Sequence, residues 1–160
     1  MWYNESGGIV KKLFIFLSLF LLLGCTNKIE ERTCKINVEN DIEGYTLKGE
    51  YKIYFDKYEY VTKVEKEEMY ESNDEEVLEY FNRSKEIDYK NISKYGGYEY
   101  TVEKLDDKVN INVIIDLKQT DVKQMIIDKK IDRDYTDKNK ITLYGIKDYY
   151  ESKGAICDIE

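Results

Sequence analysis

Apolar and polar residues alternate with a period of two along much of this chain. Tyr45, Leu47, Tyr51, Ile53 and Phe55 fall on one face, and Thr46, Lys48, Glu50 and Lys52 on the other. That is the pattern of a half-buried strand. Asp56-Lys57 predicts a tight turn, and Tyr58, Tyr60, Thr62 and Val64 begin a return strand to about Tyr70. Tyr98, Tyr100 and Val102 alternate with Glu99, Thr101 and Glu103. After Asp106-Asp107-Lys108, the residues Val109, Ile111, Val113 and Ile115 form the cleanest inward face, giving a second hairpin. Shorter strands are expected at Cys34–Val38, before the turn region Asn40–Gly44, and at Ala155–Ile159.

The period changes between these segments. Ser72-Asn73-Asp74 ahead of Glu75-Glu76 is a helix start with a capping residue and an acidic first turn. Val77, Leu78, Phe81, Ile87 and Ile92 mark an imperfect helical stripe over about 74–93, ended by Gly96-Gly97. Asp121–Asp128 predicts a short helix with Val122, Met125 and Ile126 on one face. Thr142 opens a last helix to about Ser152, with Leu143, Ile146, Tyr149 and Tyr150 as its buried side and Gly154 as its stop. Hairpins with separate helices imply the α+β class: a single domain, with an antiparallel sheet built from two hairpins plus N- and C-terminal strands, and two to three helices on one face.

Leu13–Gly24 follows neither period. It is an apolar run of 12 residues, preceded by Lys11 and Lys12 and followed by Cys25. A bilayer span needs about 20 apolar residues. Positive flank, short apolar core and the ending Leu22-Leu23-Gly24-Cys25 resemble a bacterial lipoprotein signal peptide with its lipobox. The resemblance implies cleavage before Cys25, diacylglycerol on its thiol, and tethering to the cell membrane on its extracytoplasmic face. The expected organisation is a signal peptide at 1–24, a lipidated tether at 25–32 and one extracytoplasmic domain at 33–160. Gly7-Gly8 can be encoded by a ribosome-binding sequence and Val10 by GTG, so Val10 is an expected alternative start to Met1.

Glu5, Lys11 and Lys12 precede Cys25, which leaves 32 acidic and 23 basic residues in the mature part, a net charge of −9. Such a domain has no electrostatic footprint for nucleic acid, and its field steers cationic partners toward it. Pro and His are absent, Ala155 is the single alanine, and Lys, Asn, Ile, Tyr and Glu abound, as in the proteins of a low-GC genome. The 16 Tyr invite an aromatic carbohydrate-binding platform as an alternative, but that codon bias and strand propensity explain most of them.

With Cys25 lipidated, Cys34 and Cys157 remain as an even pair near the two ends of the domain. In an oxidising compartment they are expected to bond, closing a loop of about 120 residues worth roughly 4–5 kcal/mol. Two buried free thiols are the alternative.

The absence of His excludes Ser–His and Cys–His catalysis and imidazole-bound zinc. Asp132, Asp134 and other acids of the loop Asp132–Lys140 alternate as in calcium loops, but the central Gly and distal Glu are missing and lysines surround it. No metal or cofactor is expected beyond the covalent diacylglycerol.

Thr33-Cys34-Lys35, the run GGYEYTVEKLDDKVNINVIIDLKQTDVKQM from Gly96 to Met125, and KITLYGIKDYYESKGAICD from Lys140 to Asp158 resemble the YehR-like bacterial lipoproteins of Firmicutes and enterobacteria. The resemblance spans nearly all the mature chain. It implies an α+β fold and lipid anchoring, and carries over no activity, ligand or catalytic residue. The functional expectation is a non-enzymatic domain that binds a protein or other component of the cell envelope. The alternatives are an acidic inhibitor of a cationic, lysozyme-like hydrolase and a small solute-binding accessory protein.

Overall fold

A computed structural model describes residues 28–159. The signal peptide, the lipobox Leu22-Leu23-Gly24-Cys25 and the alternative start at Val10 lie outside the described residues. Three long strands open the domain: β1 (Glu30–Asn40), β2 (Tyr45–Phe55) and β3 (Val61–Glu71). Helix α1 (Glu75–Ile92) leads to the hairpin β4 (Tyr98–Lys104) and β5 (Lys108–Asp116). Then come α2 (Val122–Ile127), a two-residue ladder β6 (Thr136–Asp137) and β7 (Lys140–Ile141), α3 (Leu143–Glu151) and β8 (Ile156–Cys157).

Six strands form one antiparallel sheet in the order β4-β5-β3-β2-β1-β8. The α+β class and both hairpins are as expected. First and last strands are neighbours, with Cys34 directly opposite Cys157 and their sulfurs joined in a disulfide.

Four local expectations change. Glu30–Arg32, read as tether, already belong to β1, because they pair with Ile53–Phe55 across a register of eleven residues. In β3 the register shifts beside Phe55, which pairs with Val61. That bulge reverses the phase: Val61 is buried and Tyr58 is exposed, and Val64, Lys66, Glu68 and Tyr70 continue the inward face. In α1, Ile87 is 59% exposed, while Lys85 and Tyr89 turn inward below Leu78. The charged loop Asp132–Lys140 closes as a small hairpin, with Lys138 and Asn139 in the left-handed region at its tip.

The helices start where side chains can satisfy their first amides. Asp74 accepts from the Glu76 amide at 2.8 Å, Asp121 from Gln124 at 2.9 Å and Thr142 from Gly145 at 3.0 Å. One face of the sheet is polar and carries cross-strand pairs such as Lys35–Glu50 and Lys48–Glu71. The other is apolar and bears the helices. Its core has two clusters. One joins β1, β2 and the start of β3 to α2 and α3 through Cys34, Ile53, Val64, Leu143 and Ile146. The second joins β3 and β5 to α1 through Tyr70, Leu78, Tyr89, Val109 and Ile111. Leu47 and Ile115 pack against both. Among the described residues, no helix is long and apolar enough to cross a membrane.

Candidate functional site

A cavity of about 440 Å³ lies on the apolar face of the sheet, lined by residues of both α1 and α3. The strand period that built the inward face also delivers its lining. Tyr51 from β2 and Lys66, Glu68 and Tyr70 from β3 come up from the floor, Lys85 and Tyr89 from α1. Tyr149 and Tyr150 of α3 close the opposite wall.

Glu68 is the centre of this site. It is 7% exposed, and it is the one buried polar or charged residue of the described core. Its Oε1 accepts from the Tyr51 hydroxyl at 2.8 Å and meets Lys66 Nζ at 3.0 Å. Its Oε2 is buried and has no hydrogen-bond partner among the described residues. Leaving such an acceptor bare costs about 1–3 kcal/mol or more.

Gly49 makes room for it. Gly49 faces Glu68 across the β2–β3 ladder. A Cβ there would lie 2.9 Å from the Glu67 carbonyl oxygen, 3.0 Å from Ile36 Cγ2 and 3.2 Å from Glu68 Cγ. Gly145 does the same on the far wall, where a Cβ would run into the Tyr135 backbone.

Aromatic rings surround the charges. Tyr51 stacks on Tyr150 with ring centroids 4.2 Å apart and planes at 8°. Lys66 Nζ lies 5.7 Å from the Tyr51 ring and 5.5 Å from the Tyr89 ring, a cation held between two π faces. Lys85 Nζ sits 5.3 Å from the Tyr70 ring. The hydroxyls of Tyr70, Tyr89 and Tyr150 make no hydrogen bond among the described residues.

Burial, and next the charge of Glu68, push the phenols of Tyr51, Tyr70 and Tyr89 well above their ordinary range. Tyr150 is raised by burial first and by Tyr149 second. These rings stay neutral at any physiological pH. Burial lowers the Lys85 ammonium from its ordinary value, with Glu68 opposing the shift. The arrangement therefore offers fixed neutral donors, ring faces, one acceptor and two part-buried ammonium groups. It suits holding a polar ring better than moving protons.

The expected site residues fall elsewhere. Cys25 and its lipobox lie outside the described residues, and Cys34 and Cys157 bond at the far edge of the sheet. No group of three or more acidic or Cys side chains among the described residues could hold a metal ion. Sequence reading did turn Tyr51 inward. It missed Lys66, Glu68 and Lys85, although Lys66 and Glu68 share the parity of Val64 and Tyr70.

The chain matches the solution NMR structure of the E. coli YehR protein with a TM-score of 0.52 and 19% sequence identity, over 84% of this chain and 94% of that one. The fold is YehR-like. At that identity the likeness concerns the fold alone. No family model and no curated protein match the sequence.

Proposed function

We propose that this chain is a lipid-anchored extracytoplasmic binding protein that holds a small molecule, or the exposed end of an envelope component, in the tyrosine-lined cavity. The observation that carries the reading is a cavity of about 440 Å³ with Glu68 in its lining, a buried carboxylate whose Oε2 has no partner among the described residues. That volume is within the usual range of ligand sites, and such sites are mostly apolar with a few placed polar groups. A buried carboxylate oxygen without a donor is stabilised when a ligand brings one.

Binding, not catalysis, is favoured because the chain has no His and the buried tyrosines are held neutral. Anchoring follows from the lipobox at Leu22–Cys25. Because β1 begins at Glu30, five residue steps separate it from Cys25, a reach of about 17 Å when extended. The domain would sit against the membrane surface, and its partners would be found there.

Two measurements test the reading. Cys25→Ser should release the protein from the membrane fraction into the medium; retention would remove the anchor. Titration of the full chain with a mixed fragment set of polyols, amines and acids, followed by aromatic side-chain NMR, should shift Tyr51, Tyr89 and Tyr150 and leave the exposed Tyr58 unmoved. A set in which no fragment moves the three cavity rings ends the binding reading.

A further inference from the structure

We infer that the cavity accepts a sugar ring bearing a carboxylate, with the ring inside and the acid group at the mouth. This rests on the cavity being a binding site. Three features of its lining fix the class.

The first is charge. The chain carries 33 acidic and 25 basic residues, a net charge of −8. The lining inverts that balance: Lys66, Lys85, Lys130 and Lys153 face it, against Glu68 as the one acid. Lys66 is committed to Glu68. Lys130 and Lys153 are exposed at the mouth, and neither makes a salt bridge among the described residues. Lys153 instead lies 5.9 Å from the ring centroid of Tyr149, on the same rim. Lys130 feels the Asp128 carboxylate through space, but in a protein with such an excess of carboxylates two exposed lysines in the lining of one cavity, neither in a salt bridge, are an anion-attracting spot.

The second feature is the floor. Glu68 lines the floor and its Oε2, buried beneath it, has no donor among the described residues; a ligand hydroxyl that displaces the cover over it supplies one. An acid group placed there would meet a like charge instead, so the anion belongs at the rim and the hydroxyls inside. An aliphatic tail would leave Oε2 bare. An amine would satisfy it but would enter past four ammonium groups.

The third is the wall. Tyr70, Tyr89 and Tyr150 offer hydroxyls that donate and accept, and Tyr89 and Tyr149 offer ring surface beside them. A saturated ring with axial C–H faces and a rim of equatorial hydroxyls matches both at once.

The test uses the full chain with three probes of one ring size: glucuronic acid, glucose and glucosamine, each titrated at low and at high salt. Two exposed ion pairs are worth about five- to tenfold in affinity. Glucuronic acid should therefore bind about five- to tenfold tighter than glucose at low salt, with the advantage shrinking at high salt, and glucosamine weaker than either. The double variant Lys130→Ala/Lys153→Ala, on exposed positions, should abolish the preference and leave glucose affinity unchanged. Glu68→Gln should weaken glucuronic acid and glucose alike. Equal affinities, a preference for glucosamine, or a preference that survives loss of both rim lysines would overturn the inference. If no sugar binds while other fragments still shift Tyr51, Tyr89 and Tyr150, the ligand class is wrong and the binding reading stands. If nothing shifts those rings, both fall.

Discussion

The two clusters of the core lie against one sheet and end differently where they meet. The β1–β2–α3 cluster meets the cavity with apolar and aromatic side chains such as Ile146, Tyr51 and Tyr150, and is closed elsewhere. A disulfide ties its outer edge, Cys34 is fully buried, and Tyr51 and Tyr150 stack face to face at its inner limit. The β3–β5–α1 cluster is as apolar in depth, through Val109, Ile111 and Val113, yet its inner limit is Lys66, Glu68, Lys85 and Tyr89. A core built only for stability would fill that boundary with aliphatic side chains, since a buried ion pair rarely improves on them. The difference separates stability from function: one half secures the fold, and the other keeps polar groups at the seam that packing alone does not require.

The largest effect that would probe both halves at once is alkaline. Tyr70 and Tyr89 in one cluster, Tyr150 in the other and Tyr98 beside them all have phenols raised by burial. In the unfolded chain they ionise near the ordinary value of 10.0. Between that pH and the raised folded values the native state binds more protons, so stability is intact below about 10 and is lost as pH rises further. Four such groups set a limiting slope of about 5 kcal/mol per pH unit. Absorbance at 295 nm, a wavelength chosen for tyrosinate, should show the buried rings ionising only together with loss of the far-UV signal. Smooth titration of every ring without unfolding would contradict the burial of these tyrosines.

Next in size is the bond that distinguishes the closed half. Cys34 and Cys157 are 123 residues apart, and opening the disulfide should cost roughly 4–5 kcal/mol on the chain-entropy account. Cys34→Ser/Cys157→Ser should lower the denaturation midpoint accordingly and leave the Tyr89 side of the cavity unperturbed by NMR. A loss under about 1 kcal/mol would mean that the β1–β8 pairing holds without it.

At the seam, Lys66→Met should cost about 3–5 kcal/mol, because it strands the Glu68 carboxylate among tyrosines. Adding Glu68→Leu should restore most of that stability while abolishing ligand-induced shifts at Tyr51. A double variant no more stable than Lys66→Met alone would place the cost in packing and not in the charge. Gly49→Ala tests the same spot from below. It should cost about 1–3 kcal/mol, because the Glu67 carbonyl and Ile36 leave no space for a methyl group.

This division also decides what could be read from the sequence. The closed half was legible. Strand β2 keeps strict alternation from Tyr51 to Phe55, and the cysteines sit where first and last strands must meet. The seam was not. Lys66 and Glu68 occupy inward positions of β3, but charged residues in a strand read as its solvated face until the neighbouring strands are known. The bulge beside Phe55 draws Val61 in at the start of β3, out of step with Val64, Lys66 and Glu68, and Tyr58 stays exposed in the turn before it. In α1 the apolar Ile87 outweighed Lys85 and Tyr89, although the spacing Leu78, Phe81, Lys85, Tyr89 and Ile92 follows the helical repeat more closely. Apolarity predicts a core face well and a functional face poorly, because the latter is marked by its exceptions.

The smallest effect makes the sharpest comparison of the halves. Asp74 caps α1, the helix that brings Lys85 and Tyr89 to the seam, and Thr142 caps α3, which packs in the other cluster. Each substitution to Ala should cost about 1 kcal/mol. Leu47 and Ile115 belong to both clusters, and β2 and β3 run unbroken beneath them, so the domain should unfold as one unit. Asp74→Ala and Thr142→Ala should then lower the global midpoint equally, and amide exchange in the slowest amides of β2 and β3 should accelerate by the same factor in both. If α1 can open alone to admit a ligand, Asp74→Ala will instead speed exchange in α1 and leave the midpoint nearly unchanged. That result would make the α1 wall of the cavity a separately mobile unit, resting on the half that carries the disulfide.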